Sequence, residues 1–302
     1  MPEWFEIKEK GAGNFRIKFL WAIYLILGPR IAKFLVLPVC LCMYPFLRDA
    51  KASIKIYFEV LNSFERSRGL VCTKPKPFKL VYNYATSLLD KIASISGRIK
   101  RENVTFFEDE NFKAFLNLRQ RKEGFVIISS HLGNIEALGS CDNSRIGGSA
   151  PEVYIFVDSW TKSVYRRFFI AQQKMKNLHY IPVDSINIAT FSKVENLLSR
   201  GAVFIIAGDR LSREAPDKFI LADFLGRKCA FPKGAFMLAT SFNCPVFFAN
   251  CVSCGEVHKV YLKQSLAKTK RNTLDEYAAF LEECLLKAPY QWFNFFNFFA
   301  KK

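Results

Sequence analysis

The chain has 302 residues, half of them hydrophobic, with 31 phenylalanines and a formal net charge of +17 from 44 basic and 27 acidic side chains. That is enough chain for one large domain or two small ones with a full core, and the apolar content excludes a disordered protein. A charge this positive asks for an anionic counterpart. With no recognition motif and no basic aromatic repeat, nucleic acid is set aside in favour of a phospholipid surface or an acidic protein. The nine cysteines are odd in number, and Cys40, Cys42 and Cys244 lie within apolar runs. They read as reduced thiols rather than a disulfide framework. Cys251, Cys254 and His258 lack a fourth ligand at zinc spacing, so no metal and no cofactor are expected.

Residues 1–18 are polar, and from Phe19 to Leu47 the chain is almost wholly apolar, broken by Gly28-Pro29-Arg30 and Lys33. Neither apolar piece, Phe19–Leu27 or Phe34–Leu47, reaches the roughly 20 residues of a membrane crossing. Arg16, Lys18, Arg30, Lys33, Arg48 and Lys51 flank them, a pattern suited to anionic headgroups. An anchor lying in the membrane plane or re-entering it is the expectation. One tilted span and two core helices of a soluble domain remain open. No cleavable signal peptide is expected.

Helical spacing follows over residues 51–72, over Phe78–Ile99, and around Phe112–Leu118. Then the pattern alternates. Phe125–Ile128, Val153–Val157, Tyr180–Val183, Val203–Ala207 and Val246–Cys251 read as short buried strands, and Val257–Leu262 as an edge or hairpin strand. Between and after them, helices are expected over Lys162–Met175, Ile188–Leu198, Lys233–Phe242 and Thr273–Leu286. Alternation of this kind predicts an α/β fold, a mixed and largely parallel central sheet flanked by helices.

The chemistry concentrates where Phe125–Ile128 ends in Ser129-Ser130-His131-Leu-Gly-Asn-Ile-Glu136. A histidine at the carboxyl end of a buried strand is well placed for catalysis in such folds. His179 with Asp184 matches the same spacing, but that stretch reads as a strand. Residues five apart on a strand point to opposite faces, so His179 is taken as structural. On an ideal helix five positions leave His131 and Glu136 roughly 140° apart. They meet only if His131 lies in a turn before the helix, which Gly133 permits. Glu136 is then expected to bond one ring nitrogen and leave the other to take a proton. No Gly-x-Ser-x-Gly nucleophile competes. The chemistry expected is direct attack by a hydroxyl that His131 deprotonates on an activated acyl group.

Gly208-Asp209-Arg210 ends the fourth strand and can lie beside His131 in a parallel sheet, where Arg210 would hold a phosphate or an acyl donor or form a surface salt bridge. The stretch Phe224 to Gly234 reads as a glycine- and proline-punctuated loop, either a plain connection or one whose amides line a donor pocket. Arg166 and Arg167 read as solvated or headgroup-facing.

The ordered set His131-Leu-Gly-Asn-Ile-Glu136, Gly208-Asp209-Arg210, Phe224-Leu-Gly226, Phe231-Pro-Lys-Gly234, Cys244-Pro-Val246 and Pro289-Tyr-Gln-Trp-Phe-Asn294 resembles the lipid A biosynthesis lauroyl/myristoyl acyltransferases. These belong to the lysophospholipid acyltransferase superfamily. The resemblance implies an enzyme of the bacterial inner membrane, on its cytoplasmic face. It would move a fatty acyl chain from acyl carrier protein to a hydroxyl of a lipid or glycolipid. It makes His131 and Glu136 catalytic and places Asn134, Asp209, Arg210, Gly226, Pro232 and Gly234 in substrate binding. Acyl carrier protein is acidic and gives the charge a partner besides the phospholipid membrane. Residues 1–55 then form the membrane-associating segment and 56–302 the acyltransferase domain with its helical lead-in. The chain departs from the family pattern in Asp209-Arg210, where Asp-Gln is common, and in Phe293-Asn-Phe-Phe-Asn-Phe-Phe299, where a basic stretch is usual. It therefore resembles a divergent branch. An acyl-coenzyme A-dependent glycerophospholipid acyltransferase and a non-catalytic lipid-binding relative are the alternatives.

Overall fold

The computed structural model describes residues 14–140, 151–157, 171–183, 186–212 and 215–299. Asp184, Arg166, Arg167 and most of the helix expected over Lys162–Met175 lie outside the described residues.

The apolar N-terminus is one long helix with a break, α1 (Asn14–Met43). Gly28 takes φ 85°, ψ 173°. Pro29 has no N–H to continue the ladder, and its fixed φ suits the first position of a new helical segment. A single-turn 3₁₀ segment leads to α2 (Arg48–Ser67), followed by α3 (Pro77–Ile95). Trp21, Tyr24, Ala32, Val36 and Cys40 form one buried stripe of α1, clustered with Leu89, Ile92 and Ala93 of α3. The boundary expected between residues 55 and 56 falls inside α2, which runs through it unbroken, and α1 shares a hydrophobic cluster with the domain.

The rest is α/β, as the alternation predicts. In chain order come β1 (Val104–Phe106), α4 (Glu110–Arg121), β2 (Phe125–Ser129), β3 (Val153–Val157) and β4 (Leu178–Pro182). Then follow α5 (Ile188–Ser199), β5 (Val203–Ala207), β6 (Phe219–Phe224), β7 (Arg227–Pro232) and α6 (Lys233–Thr240). β8 (Val246–Cys254), β9 (Val257–Gln264) and α7 (Lys270–Lys287) complete the elements of the described residues. Seven strands make one sheet in the order β1-β9-β8-β2-β5-β3-β4. Its pairings are parallel except β8 with β9.

β2 is buried along its whole length. Phe125 and Ile127 pack with Ile95 and Phe247, while Val126 and Ile128 belong to the larger cluster with Phe248, Tyr277 and Trp292. Burying each such side chain contributes about 1.5–3 kcal/mol, which is why a strand apolar on both faces sits mid-sheet.

The stretch Phe224–Gly234 is corrected by the structure. It is not an open loop but the end of β6, a tight turn, β7 and the start of α6. Leu225 (φ 51°) and Gly226 (φ 74°) close the hairpin with two successive positive φ angles, the backbone that matches strand twist. Phe224 pairs with Arg227 and Phe219 with Pro232 in the antiparallel register. Ladder amides committed in this way are not offered to a ligand. Gly226 and Gly234 are exposed with open space around them, and Pro232 is the buried N-cap of α6. The hairpin's contribution is aromatic: Phe224 and Phe231 pack edge-on against Phe298, and Phe224 also against Trp292.

Candidate active site

β2 and β5 run parallel with Ser129 opposite Ala207. Two residues past each strand end stand His131 and Asp209, so the sheet register itself brings them side by side. Gly208 makes the approach possible. A Cβ there would lie 2.7 Å from the Ile128 side chain and 3.0 Å from the Tyr277 ring. Its N–H donates to the Ser129 carbonyl at 2.8 Å, which also accepts from the Tyr277 hydroxyl at 2.8 Å.

The turn after β2 is pinned on both sides. Ser130 Oγ donates to Asn250 Oδ1 on β8 at 2.6 Å and accepts from the Leu132 N–H at 3.1 Å. Gly133 has φ +76°, and a Cβ there would sit 2.0 Å from the Cys251 carbonyl oxygen. Only glycine fits a backbone pressed this close in the left-handed region. The segment after α7 closes the other side. The Phe293 N–H donates to the His131 carbonyl and the Gly133 N–H to the Gln291 carbonyl, both at 2.9 Å.

Asp209 is fully buried and accepts four hydrogen bonds. Oδ1 receives His131 Nδ1 at 2.7 Å. Oδ2 receives the His131 backbone N–H at 3.0 Å, Trp292 Nε1 at 2.9 Å and Asn294 Nδ2 at 3.0 Å. Three fixed donors on Oδ2 hold the carboxylate plane and aim Oδ1 at the imidazole. Arg210 stands next in the chain, its Nε donating to Asn294 Oδ1 and its Nη2 to the Phe293 carbonyl, both at 2.7 Å.

Burial would raise the Asp209 carboxyl's pKa, but the His131 charge and hydrogen bond, with Arg210, outweigh it and hold the group well below the usual carboxylate range. Burial, then the positive charge of Arg210, pushes the His131 imidazole below its ordinary value, against the opposing pull of Asp209. An ionised carboxylate can only accept, so Nδ1 carries the proton and Nε2 presents its lone pair. The His131 side chain is 31% exposed, and Nε2 has no hydrogen-bond partner among the described residues. The arrangement is a neutral base with one nitrogen locked and the other open.

The expected partner, Glu136, stands elsewhere. It lies in the 3₁₀ turn Ile135–Ser140, where Oε1 accepts from Lys91 Nζ at 3.2 Å. Oε2 is buried without a hydrogen-bond partner among the described residues. The left-handed turn at Gly133 and the bond from the Asn134 N–H to the Cys251 carbonyl, 2.6 Å, hold the chain against β8 before residue 136 is reached. Asn134, expected to touch substrate, is buried and ties this turn to α3 through Nδ2 to Ser94 Oγ at 3.1 Å. Asp209, expected in substrate binding, is the residue that orients the base. Gly226, Pro232 and Gly234 belong to the hairpin and α6 and contribute no contact to the pair among the described residues. Trp292 and Asn294, which the sequence presents only as part of a terminal motif, both donate to Asp209 Oδ2. Their legible signal was an indole N–H and an amide two positions apart, both able to donate to one buried acceptor.

On the other side of the turn a polar cleft of about 200 Å³ is lined by Lys33, Tyr82, Asn83, Asp90, Ser253 and Gln291, among others. Its lining includes Gly133 and Asn134 but not His131. No protein-family model matches the chain, and no curated protein matches its sequence.

Proposed function

We propose that the chain is a membrane-associated acyltransferase that moves a fatty acyl group from acyl carrier protein to a hydroxyl of a lipid or glycolipid acceptor. The observation that carries this reading is the His131–Asp209 pair, with Nδ1 locked by a buried, four-bonded carboxylate and Nε2 left open at the carboxyl ends of two parallel strands. The ordered motifs that resemble the lipid A acyltransferases supply the substrate classes. The work of Glu136 in that reading passes to Asp209.

Nε2 takes the proton of the acceptor hydroxyl as its oxygen attacks the thioester carbonyl. The imidazolium that forms is held against Asp209, and the Arg210 charge lies in the same field as the negative charge that develops on the substrate. The C–S bond then breaks, the ester C–O bond is complete, and the leaving thiolate recovers the proton from Nε2. No covalent enzyme intermediate is needed. The apolar N-terminal helix and the charge of +17 support a membrane setting and an acidic donor protein. The bacterial inner membrane and its cytoplasmic face belong to the same proposal.

The test is transfer of labelled acyl chains from acyl carrier protein to extracted membrane lipids by the wild type and by His131→Ala. Product ester from the wild type and none from the variant is expected. Near-normal turnover by His131→Ala would overturn the proposed base. Competition with acyl-coenzyme A distinguishes the donors. Lipid binding with no transfer from either donor would point to a lipid-binding protein of the same fold.

A further inference from the structure

We infer that α1 lies flat on an anionic bilayer, dipped into one leaflet, and does not cross it. This deepens the membrane setting proposed above and is independent of acyl transfer. By length and composition alone, residues Lys18–Phe46 pass as a crossing helix. Three features of the helix decide against that.

The first is its two-sidedness. Trp21, Tyr24, Ala32, Val36 and Cys40 are buried against the domain, while Phe19, Ile26, Phe34, Leu41 and Phe46 point outward at 56–79% exposure. One apolar row is already spent on the domain, and in the other Ile26, Phe34 and Leu41 are exposed among the described residues.

The second is where the charges lie. At the middle of the segment Arg30 forms a two-pronged pair with Glu256 at the β8–β9 turn, at 2.6 and 3.3 Å. One turn on, Lys33 Nζ reaches both Asp90 oxygens at 2.8 and 2.9 Å, and the Tyr82 hydroxyl donates to the Lys33 carbonyl at 2.9 Å. In a crossing helix this turn would sit at the bilayer centre. A single Arg or Lys there costs about 2.5–3.5 kcal/mol on insertion scales, and here the acidic partners and their parent elements would have to follow. In a helix lying flat the same groups stay on the aqueous side.

The third is the kink. Gly28–Pro29 divides α1 into two segments, each shorter than the roughly 20 residues that reach across a hydrocarbon core.

The occupant of the open face is a lipid surface carrying negative charge. Exposed Lys18 and Arg48 stand at the two ends of the segment, and the whole chain is strongly basic. Basic side chains at the ends of an exposed apolar row suit anionic headgroups.

The full-length chain, with a tag at each end, is produced in cells and inverted membrane vesicles are treated with protease. Loss of both tags together is expected. An N-terminal tag that stays protected while the C-terminal tag is digested would overturn the proposal. Ile26→Glu with Phe34→Glu alters only exposed positions. It should weaken flotation with phosphatidylglycerol-containing vesicles about tenfold or more relative to wild type. Vesicles of phosphatidylcholine alone should bind the wild type less tightly. Undiminished flotation of the double variant, or equal binding to both lipids, would also overturn it. His131→Ala should float like the wild type, so failure of acyl transfer leaves this result standing.

Discussion

Among the described residues, two histidine–carboxylate pairs stand on or just past a strand, and their surroundings differ sharply. His131 with Asp209 lies at the carboxyl ends of adjacent central strands. His179 with Glu152 lies on β4, at the edge of the sheet, with its ring stacked on Tyr154. The two imidazoles are similarly exposed, 31% and 40% of the side chain. The carboxylates are not: Asp209 is fully buried under four donors, whereas Glu152 is 53% exposed. What separates a positioned base from a surface pair is the shell around the acid, not the histidine. An exposed pair contributes about 0–1 kcal/mol and sets no ring orientation.

The sharpest way to break this contrast is to remove each ring in turn. His131→Ala should lower the acyl-transfer rate by about 10²–10⁴-fold, the usual worth of a positioned base, while His179→Ala stays within about twofold. Equal losses in a steady-state transfer assay would dissolve the distinction.

Asp209→Asn keeps the shape but loses the charge and the tautomer lock. A loss of up to about 10⁴-fold is expected in turnover, with little change in acceptor KM. Asp209→Ala should also cost about 3–5 kcal/mol in chemical denaturation, because four donors and Arg210 are left without the buried acceptor they face.

The pH dependence follows from the shifts. The rate should rise on a limb below the ordinary imidazole value of about 6.5 and be flat above it. Arg210→Gln removes a cation that disfavours imidazolium and should move that limb upward, while His179→Ala leaves it in place. For stability, folded His131 binds its proton less readily than the unfolded chain does. Stability is therefore lost as pH falls from about 6.5 through the folded value. Asp209 is shifted below its unfolded value, so its contribution is present above about pH 4 and lost as pH falls further. Thermal melts of wild type and His131→Gln across this range would show whether the first slope disappears.

The smallest effects concern the shell itself. Asn294→Ala and Trp292→Phe each remove one donor from Oδ2, and a rate loss of about tenfold is expected for either. Glu152→Gln, the matched change at the edge pair, should leave melting and rate within error.

Most of the fold could be read from the residues because its strands are short apolar runs punctuated by glycine and polar residues, and Phe125–Ile128 is the clearest of them. The hairpin was hidden for a local reason. Leu225 takes a positive φ that its side chain disfavours, and Gly-rich punctuation around it mimics an open loop. The site divided in the same way. His131 and the need for an orienting acid were legible, but the acid was sought five positions away along the chain. The orienter comes instead from the same register step on the neighbouring strand, and strand order is not written in local sequence. Gly208 and Gly133 were the available hints. Each marks a place where backbone or a buried side chain comes within 3 Å of where a side chain would start. The strong charge pointed toward an anionic surface, yet only the pairing of Arg30 and Lys33 with the domain indicates how α1 would meet one.

The strap that follows α7 has a consequence for the timing of synthesis. α1 is translated before the sheet, and in the flat pose it can settle on lipid while the sheet is still being made. His131 and Asp209 are translated long before Trp292 and Asn294, so for that interval Oδ2 lacks two of its three donors. Up to that point the His131–Asp209 pair is incomplete. Its base is clamped only when the strap folds back over the turn after β2.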